Sequence, residues 1–504
     1  MIMRHTLVAA TLISVLFVNL ANETRAAKAG FAERDITPDI GMEQPGGYRK
    51  GFHRSFHDAC KVRAAVFDDG DNRVAILGLD ALTVPRHLVL ACRKEIEQKC
   101  GIPADSIMIA ASHSHSSGPT GMVQPGEYDH ASEFVQKLAY EQSSAADPVY
   151  LERLKNAIVE AICEADQKRA ELNVGFGSGI EDKIAFNRRF RMKNGFAHTH
   201  PGQGNPDIVG PAGPTDPEVG VVAAWDDEGQ LVGCIVNFAC HATVNPGGIS
   251  ANYIYYLERV VRGVMGEDVI VVFTAGASGD ITQVDNLSPF TRPERKQWSR
   301  MVGGRVGAEA VKVMYMMETT KDFRVASRNK VLKIQRRLPR QDRVKAAYEM
   351  VKNPSPKADA TELTFAKETV MLDAKIQNEP IADVEIQAVQ VGPAVFVSNP
   401  AEYFCQYGLD IKKGSEFPLT FPVSLANGCV GYVPTEEALG PRGGGYETRL
   451  SSYSNLIPTA GTTIASEGIA LTKQLKPSMI LTRPPHPKFS GRGWQYGNLP
   501  PQVD

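Results

Sequence analysis

The segment ASHSHSSGP, residues 111–119, places His113 and His115 two apart at the end of an apolar run. On an extended chain that spacing sends both imidazoles to one face, and the Ser-Ser-Gly-Pro that follows turns the backbone. Neutral imidazole is a favoured zinc ligand, so the pair suits two ligands, or one ligand with a catalytic partner. Taken alone, such a pair is equally an ordinary hydrogen-bonded feature of a polar loop. His241 adds weight, because it too follows an apolar run, in NFACHAT, residues 237–243. A zinc hydrolase needs about three protein ligands and an open position, so two histidines leave the set incomplete.

These residues must be held by strands, and the surrounding patterns supply them. RVAILGLDAL from Arg73, the helical RHLVLACRKEIEQKCG and DSIMIAASHSH read as strand, helix, strand at lengths suited to a parallel βαβ unit. A second passage begins at Leu231 with LVGCIVNFACHAT, continues through NYIYYLERVVRGVMG and returns at VIVVFTAGASGD. The expected fold is therefore α/β, a mixed or mostly parallel sheet with helices on both sides and the metal site at the C-terminal ends of strands, where open sheets place ligands. A long helix is expected over PVYLERLKNAIVEAICEADQKRAEL, residues 148–172. Pro201 to Pro217 reads as an irregular Gly/Pro-rich loop bordering the substrate entrance. Residues 321–372 read as a charged, helical, peripheral insertion, and the stretch from Arg483 as a Pro-rich tail.

Bulk properties set the outer limits. The chain has 504 residues, 43% hydrophobic and 22% charged, enough for one large catalytic domain over 30–482. A formal charge of -2 gives no electrostatic case for nucleic acid. Arg4 and His5 precede an apolar run from Leu7 to Leu20, and Ala27-Lys28-Ala29 supplies small residues, so residues 1–29 read as a signal peptide of an exported protein. The run is shorter than the roughly 20 residues of a membrane-spanning helix, so no stable transmembrane anchor is expected. The eight cysteines show no C-x-x-C spacing, and buried free thiols are the commoner reading, with pairing left open.

Several separated motifs together resemble the neutral, or alkaline non-lysosomal, ceramidase family: GFAERDITPDIG, the Asp80 strand, ASHSHSSGP, Asn187-Arg188 in AFNRRF, NFACHAT, ISANYIYYLERV, FTAGASGDIT, SNPAEYF and ANGCVGYVPTEEA. The resemblance implies one Zn2+ per chain held by His113, His241, Glu402 and Tyr432. It further implies that a metal-activated water attacks an acyl carbon, with His115, Arg188 and Tyr446 stabilising the oxyanion. Arg189 and Arg191 flank Arg188 and compete with it for that role. Where the family carries a serine in a GD-x-S-P-N motif, this chain has Gly279-Asp280-Ile281-Thr282, so Thr282 takes the catalytic serine's position with an added methyl. Ser278 is a neighbouring hydroxyl at a different spacing. Asn252 stands where the family often has aspartate, and an immunoglobulin-like C-terminal module usual in the family is not expected here.

The first reading is cleavage of the amide of an N-acylated, ceramide-like lipid. The second keeps the site but assigns it another amide, an ester or a lactone of a small polar or carbohydrate-derived molecule. A silent binding protein on the same scaffold is the third.

Overall fold

A computed structural model describes residues 26–491, 493 and 500–504. The expected leader falls mostly outside these. Within them the strand Lys28–Asp35 already begins inside residues 1–29, with Ala27 and Ala29 in the core. Among the described residues no helix is long and apolar enough to cross a membrane.

The first sheet contains β1 (Lys28–Asp35), β2 (Lys61–Asp68), β3 (Arg73–Leu79) and β4 (Ile107–Ala111), in the order β4-β3-β2-β1, with Ala170–Glu171 at the far edge. Helices α1 (Arg86–Cys100) and α2 (Pro148–Gln167) cover its outer face, where Leu88, Ile96, Leu154 and Ile158 pack on Val62, Leu77 and Ile109. The α2 helix starts where Asp147 accepts the Val149 and Tyr150 amides, and it ends before the expected residue 172 because Ala170–Glu171 joins β1.

The second sheet contains β5 (Asn173–Ile180), β6 (Glu218–Trp225), β7 (Leu231–Phe238) and β8 (Ile270–Ala275). Its outer face is covered by α3 (Tyr253–Met265) and α4 (Arg295–Met314). The inner faces of the two sheets meet through Phe31, Phe67 and Met108 on one side and Val222, Ile235 and Val272 on the other. Strands buried on both faces explain the unbroken apolar runs of the sequence.

The third sheet, β9 (Val325–Gln335), β10 (Ile381–Val391), β11 (Ala394–Ser398) and β12 (Leu419–Val423), closes one end of the sandwich through Phe396 and Phe421. Between β9 and β10 runs a hairpin of α5 (Gln341–Lys352) and α6 (Ala360–Asn378). Helices α7 (Cys405–Gly414) and α8 (Ala460–Thr472) cover the outer side.

The pairs β3–β4, β7–β8 and β11–β12 are parallel, and antiparallel pairs otherwise build the sheets, so the mixed arrangement is the one adopted. Two local expectations change. Residues 325–335 form a strand of 11 residues at a sheet edge, where solvent on one side permits the charged residues that read as helix. Within the expected irregular loop, Ile208–Pro211 pairs with Arg189–Met192.

Candidate metal centre

Each parallel pair delivers chemistry just past its carboxyl end. The chain leaves β4 at Ala111 and reaches His113 in the left-handed region, φ 62°, a conformation that costs a β-carbon residue free energy and turns the imidazole inward. The chain after β7 delivers His241, whose amide donates to the Ile281 carbonyl at 3.1 Å. Beyond β11 and β12, two short strands, Glu402–Tyr403 and Tyr432–Val433, pair in parallel with Glu402 directly opposite Tyr432. Gly279 packs against this pair: a β-carbon there would lie 2.4 Å from the Glu402 carbonyl oxygen, so only glycine allows the approach.

The backbone dictates which imidazole nitrogens carry protons. His113 Nδ1 donates to the Leu82 carbonyl at 2.9 Å, and His241 Nδ1 donates to the Ser278 carbonyl at 2.6 Å. With Nδ1 engaged by a carbonyl, each ring turns its Nε2 toward the site. Both converge on one carboxylate oxygen, Glu402 Oε2, at 3.3 Å from His113 and 2.9 Å from His241. His115 Nε2 lies 3.2 Å from His113 Nε2, and the three imidazoles keep their ligand nitrogens within 4.8 Å of one another.

Burial and the neighbouring Arg188 push His241 down to about 4, so the ring is neutral near pH 7. Burial raises the Glu402 carboxyl, but charge interaction and hydrogen bonding with His113 and His241 outweigh it and hold it well below the usual range. Burial, then His113 and His241, holds His115 well below the ordinary histidine value. Two imidazole nitrogens this close to one carboxylate oxygen need either a shared proton or a cation among them. This donor set fits a divalent metal, with imidazole and carboxylate suiting zinc and several neighbours in the series.

Arg188 is the cation beside this cluster, fully buried between Tyr432 and Tyr446. It donates to Tyr432 Oη at 3.1 Å, to Glu447 Oε1 at 2.7 Å and to the Gly279 carbonyl at 2.7 Å. Its Nη1 lies 3.4 Å from His241 Nε2. The flanking arginines point elsewhere, Arg189 to the Gly444 carbonyl and Arg191 to the Arg442 carbonyl. The Tyr432 and Tyr446 hydroxyls are 2.9 Å apart, and burial raises both above the ordinary phenol. A cavity of about 60 Å³ unites His113, His115, Glu402, Tyr432 and Tyr446 with Gly46, Gly47, Tyr48, Leu82, Met122 and Tyr453.

Thr282 sits behind this group. It is buried, pairs with Phe186, and its hydroxyl accepts the Val284 amide at 3.3 Å, with no hydrogen bond to the histidines, Glu402 or Arg188. Ser278 contributes its carbonyl to His241, not its hydroxyl. Asn252 caps α3 by accepting the Tyr253 amide, as its position at the helix start suggests. Asp80 belongs to an ion cluster with Arg63, away from the cavity.

Three site residues escaped sequence reading. Glu447, fully buried, clamps Arg188 and accepts from Thr199 at 2.6 Å; its adjacency to Tyr446 was the available signal. Tyr48 and Tyr453 line the cavity from loops with no periodic pattern to mark them.

An αββα sandwich thus carries histidines and a carboxylate at the ends of its parallel strands, a donor set that suits a divalent metal. No family model matches the chain. It is 25% identical over 337 residues to the neutral ceramidase of Pseudomonas aeruginosa, covering 60% of this chain and 45% of that protein, so it spans under half the length of that curated relative. The crystal structure of the same bacterium's neutral ceramidase superposes with a TM-score of 0.65 at 18% identity, over 91% of this chain and 76% of that one. A structure described as ceramidase complexed with C2 superposes at 0.64 and 17% identity, over 91% and 77%. By sequence and fold together, the chain is similar to the neutral ceramidases.

Proposed function

We propose that this chain is a zinc-dependent hydrolase that uses water to cleave the acyl bond of an N-acylated, ceramide-like amide. The observation that carries this reading is the convergence of two imidazole Nε2 atoms on the Glu402 carboxylate. His113, His241 and Glu402, with Tyr432 opposite Glu402, would hold one zinc ion. A zinc bound there supplies Lewis acidity to a carbonyl oxygen and lowers the pKa of water.

The chain's own residues supply the rest. Arg188 and Tyr446 stand where a developing negative charge needs donors, and Glu447 fixes the guanidinium. His115 stays neutral beside His113 and can accept a proton at its nitrogen. Thr282 enters the proposal as support for the segment that carries His241. We propose residues 30–482 as the catalytic domain and 483–504 as a tail, in a chain exported after removal of its leader.

A second reading, hydrolysis of another amide, an ester or a lactone on a smaller molecule, is favoured by the cavity of about 60 Å³, below the usual ligand pocket of roughly 300–1,000 Å³. The test is hydrolysis of fluorogenic ceramide and of a small amide by zinc-loaded protein, wild type against His241→Ala. Turnover of either by wild type, lost in the variant, supports hydrolysis; a zinc-loaded protein that turns over neither is the binding protein of the third reading.

A further inference from the structure

The wall facing the histidines is a hairpin tip, Gly46 to Tyr48, held from three directions. Its base is paired, with Gln44 donating to the Gly51 carbonyl at 2.7 Å and His53 to the Met42 carbonyl at 2.9 Å. Its near side lies on the site: Gln44 Nε2 donates to the His115 carbonyl at 3.0 Å, and a β-carbon at Gly46 would lie 2.3 Å from His115 Nδ1. Its far side is tied to α6, where Lys367 Nζ donates to the Tyr48 carbonyl at 2.6 Å and the Gln142 carbonyl at 3.2 Å. The Tyr48 ring packs on Phe365 with centroids 5.6 Å apart. Lys367 is only 7% exposed and is paired with the buried Glu368 at 3.7 Å, and its ammonium also donates to two loop carbonyls, which ties the loop's position to α6.

Resting on the hydrolase reading, we propose that the site accepts short, acetyl-sized acyl groups and that Tyr48, positioned by Lys367, sets the limit. About 60 Å³ holds a few water-sized volumes of roughly 10–15 Å³ each, enough for a water and a small acyl group, while a longer chain would have to leave the half-open cavity past its Tyr48 wall. Tyr48, Tyr446 and Tyr453 line the space beside the carboxylate. The substrate class is therefore an N-acyl compound with a short acyl group.

The experiment uses zinc-loaded full-length protein and one fluorogenic amine carrying acetyl, butanoyl, octanoyl or palmitoyl groups. Wild type is expected to lose at least about tenfold in kcat/KM between acetyl and octanoyl, the scale on which pocket size discriminates. Tyr48→Gly should raise octanoyl relative to acetyl by about tenfold, and Lys367→Met should move the same ratio in the same direction by less. Calorimetric binding of acetohydroxamate against octanohydroxamate should show the same preference without turnover. Equal turnover of palmitoyl and acetyl amides by wild type overturns this inference and leaves the hydrolase reading standing. A zinc-loaded protein inactive on every chain length overturns the hydrolase reading itself.

A separate observation concerns the thiols. Cys100 at the end of α1 and Cys163 on α2 place their sulfurs 3.0 Å apart, both partly buried, while five of the other six cysteines are buried and Cys429 faces the Tyr453 hydroxyl at 3.6 Å. We infer that this pair forms a disulfide tying α1 to α2 when the chain meets an oxidising compartment. Two thiols exchange with the disulfide of glutathione or of an oxidoreductase; the Cys100–Cys163 bond forms, the donor disulfide breaks, and two reduced thiols leave with both protons and electrons. After incubation with glutathione disulfide, alkylation of the denatured protein should label two fewer thiols than after reduction, and peptide mapping should join residues 100 and 163. Full labelling, or a crosslink mapped elsewhere, overturns the assignment.

Discussion

Two buried clusters of titratable side chains lie close to the same sheets and are finished in opposite ways. Against α3, the cations Lys61, Arg63 and Arg262 meet the carboxylates Glu33, Asp80 and Glu258. Arg63 donates to Asp80 at 2.8 Å and to Glu258, Lys61 reaches Glu33 and Glu258 at 2.9 Å, and Arg262 reaches Glu33 at 2.9 Å. Three charges of each sign cancel, and nothing further is needed there. Around Glu402 the arrangement differs: two imidazole nitrogens crowd one carboxylate oxygen, and the nearby cation, Arg188, is held mainly by Glu447, Tyr432 and the Gly279 carbonyl, with only its Nη1 reaching toward His241 at 3.4 Å. A closed cluster contributes to the fold, whereas the open one is the cluster proposed to bind a metal.

The comparison sharpens most at His241. Its replacement by alanine should lower kcat/KM by about a thousandfold or more, several kcal/mol of lost transition-state stabilisation, when steady-state rates are compared at saturating zinc. Wild type should gain about 2.7 kcal/mol in urea unfolding at a hundredfold excess of zinc over its Kd, and His241→Ala should gain nothing. The closed cluster should answer in the reverse sense. Arg63→Met leaves Asp80 and Glu258 buried without their partner and should cost about 3–5 kcal/mol of stability, while zinc bound per folded chain stays unchanged. Arg188→Lys keeps a charge but loses the fork that spans Glu447 and Gly279, and should cost about a hundredfold in kcat with zinc retained.

The smallest effect is on pH. Burial, opposed by Ser250 and the Ala251 amide, raises Asp58 to about 7 from its ordinary 3.8. The folded chain then holds a proton that the unfolded chain has released, so this contribution is full below about pH 4 and is lost as pH rises through 7. Glu258 runs the other way: burial raises it, but Arg63, Lys61 and Arg262 bring it to about 2 from 4.5, so its contribution is full above 4.5 and is lost as pH falls through 2. Urea unfolding between pH 5 and 8 should therefore show a shallower decline in Asp58→Asn than in wild type, a difference of the order of 1–2 kcal/mol.

Much of this was legible in the amino-acid order, because periodicity reports burial. Both βαβ passages, the long helix from residue 148 and the histidines past β4 and β7 follow from apolar runs broken by polar turns. Glu402 and Tyr432 came from the family resemblance, since a two-residue strand leaves no periodic trace, yet their register across that short pair brings them side by side. What stayed hidden was non-local. The β9 strand looks helical because one side meets solvent, and the hairpin of α5 and α6, expected as a peripheral insertion, sends Lys367 across to the loop that walls the site. Glu447 and Tyr48 depend on contacts hundreds of residues apart in sequence, which no local pattern encodes.

The most direct test of the open cluster is elemental analysis of purified wild type and His241→Ala after dialysis against trace zinc. The expected result is about one zinc per wild-type chain and essentially none in the variant; wild type without metal, or a variant that keeps a full equivalent, would contradict the assignment of His241 and Glu402 to a metal centre.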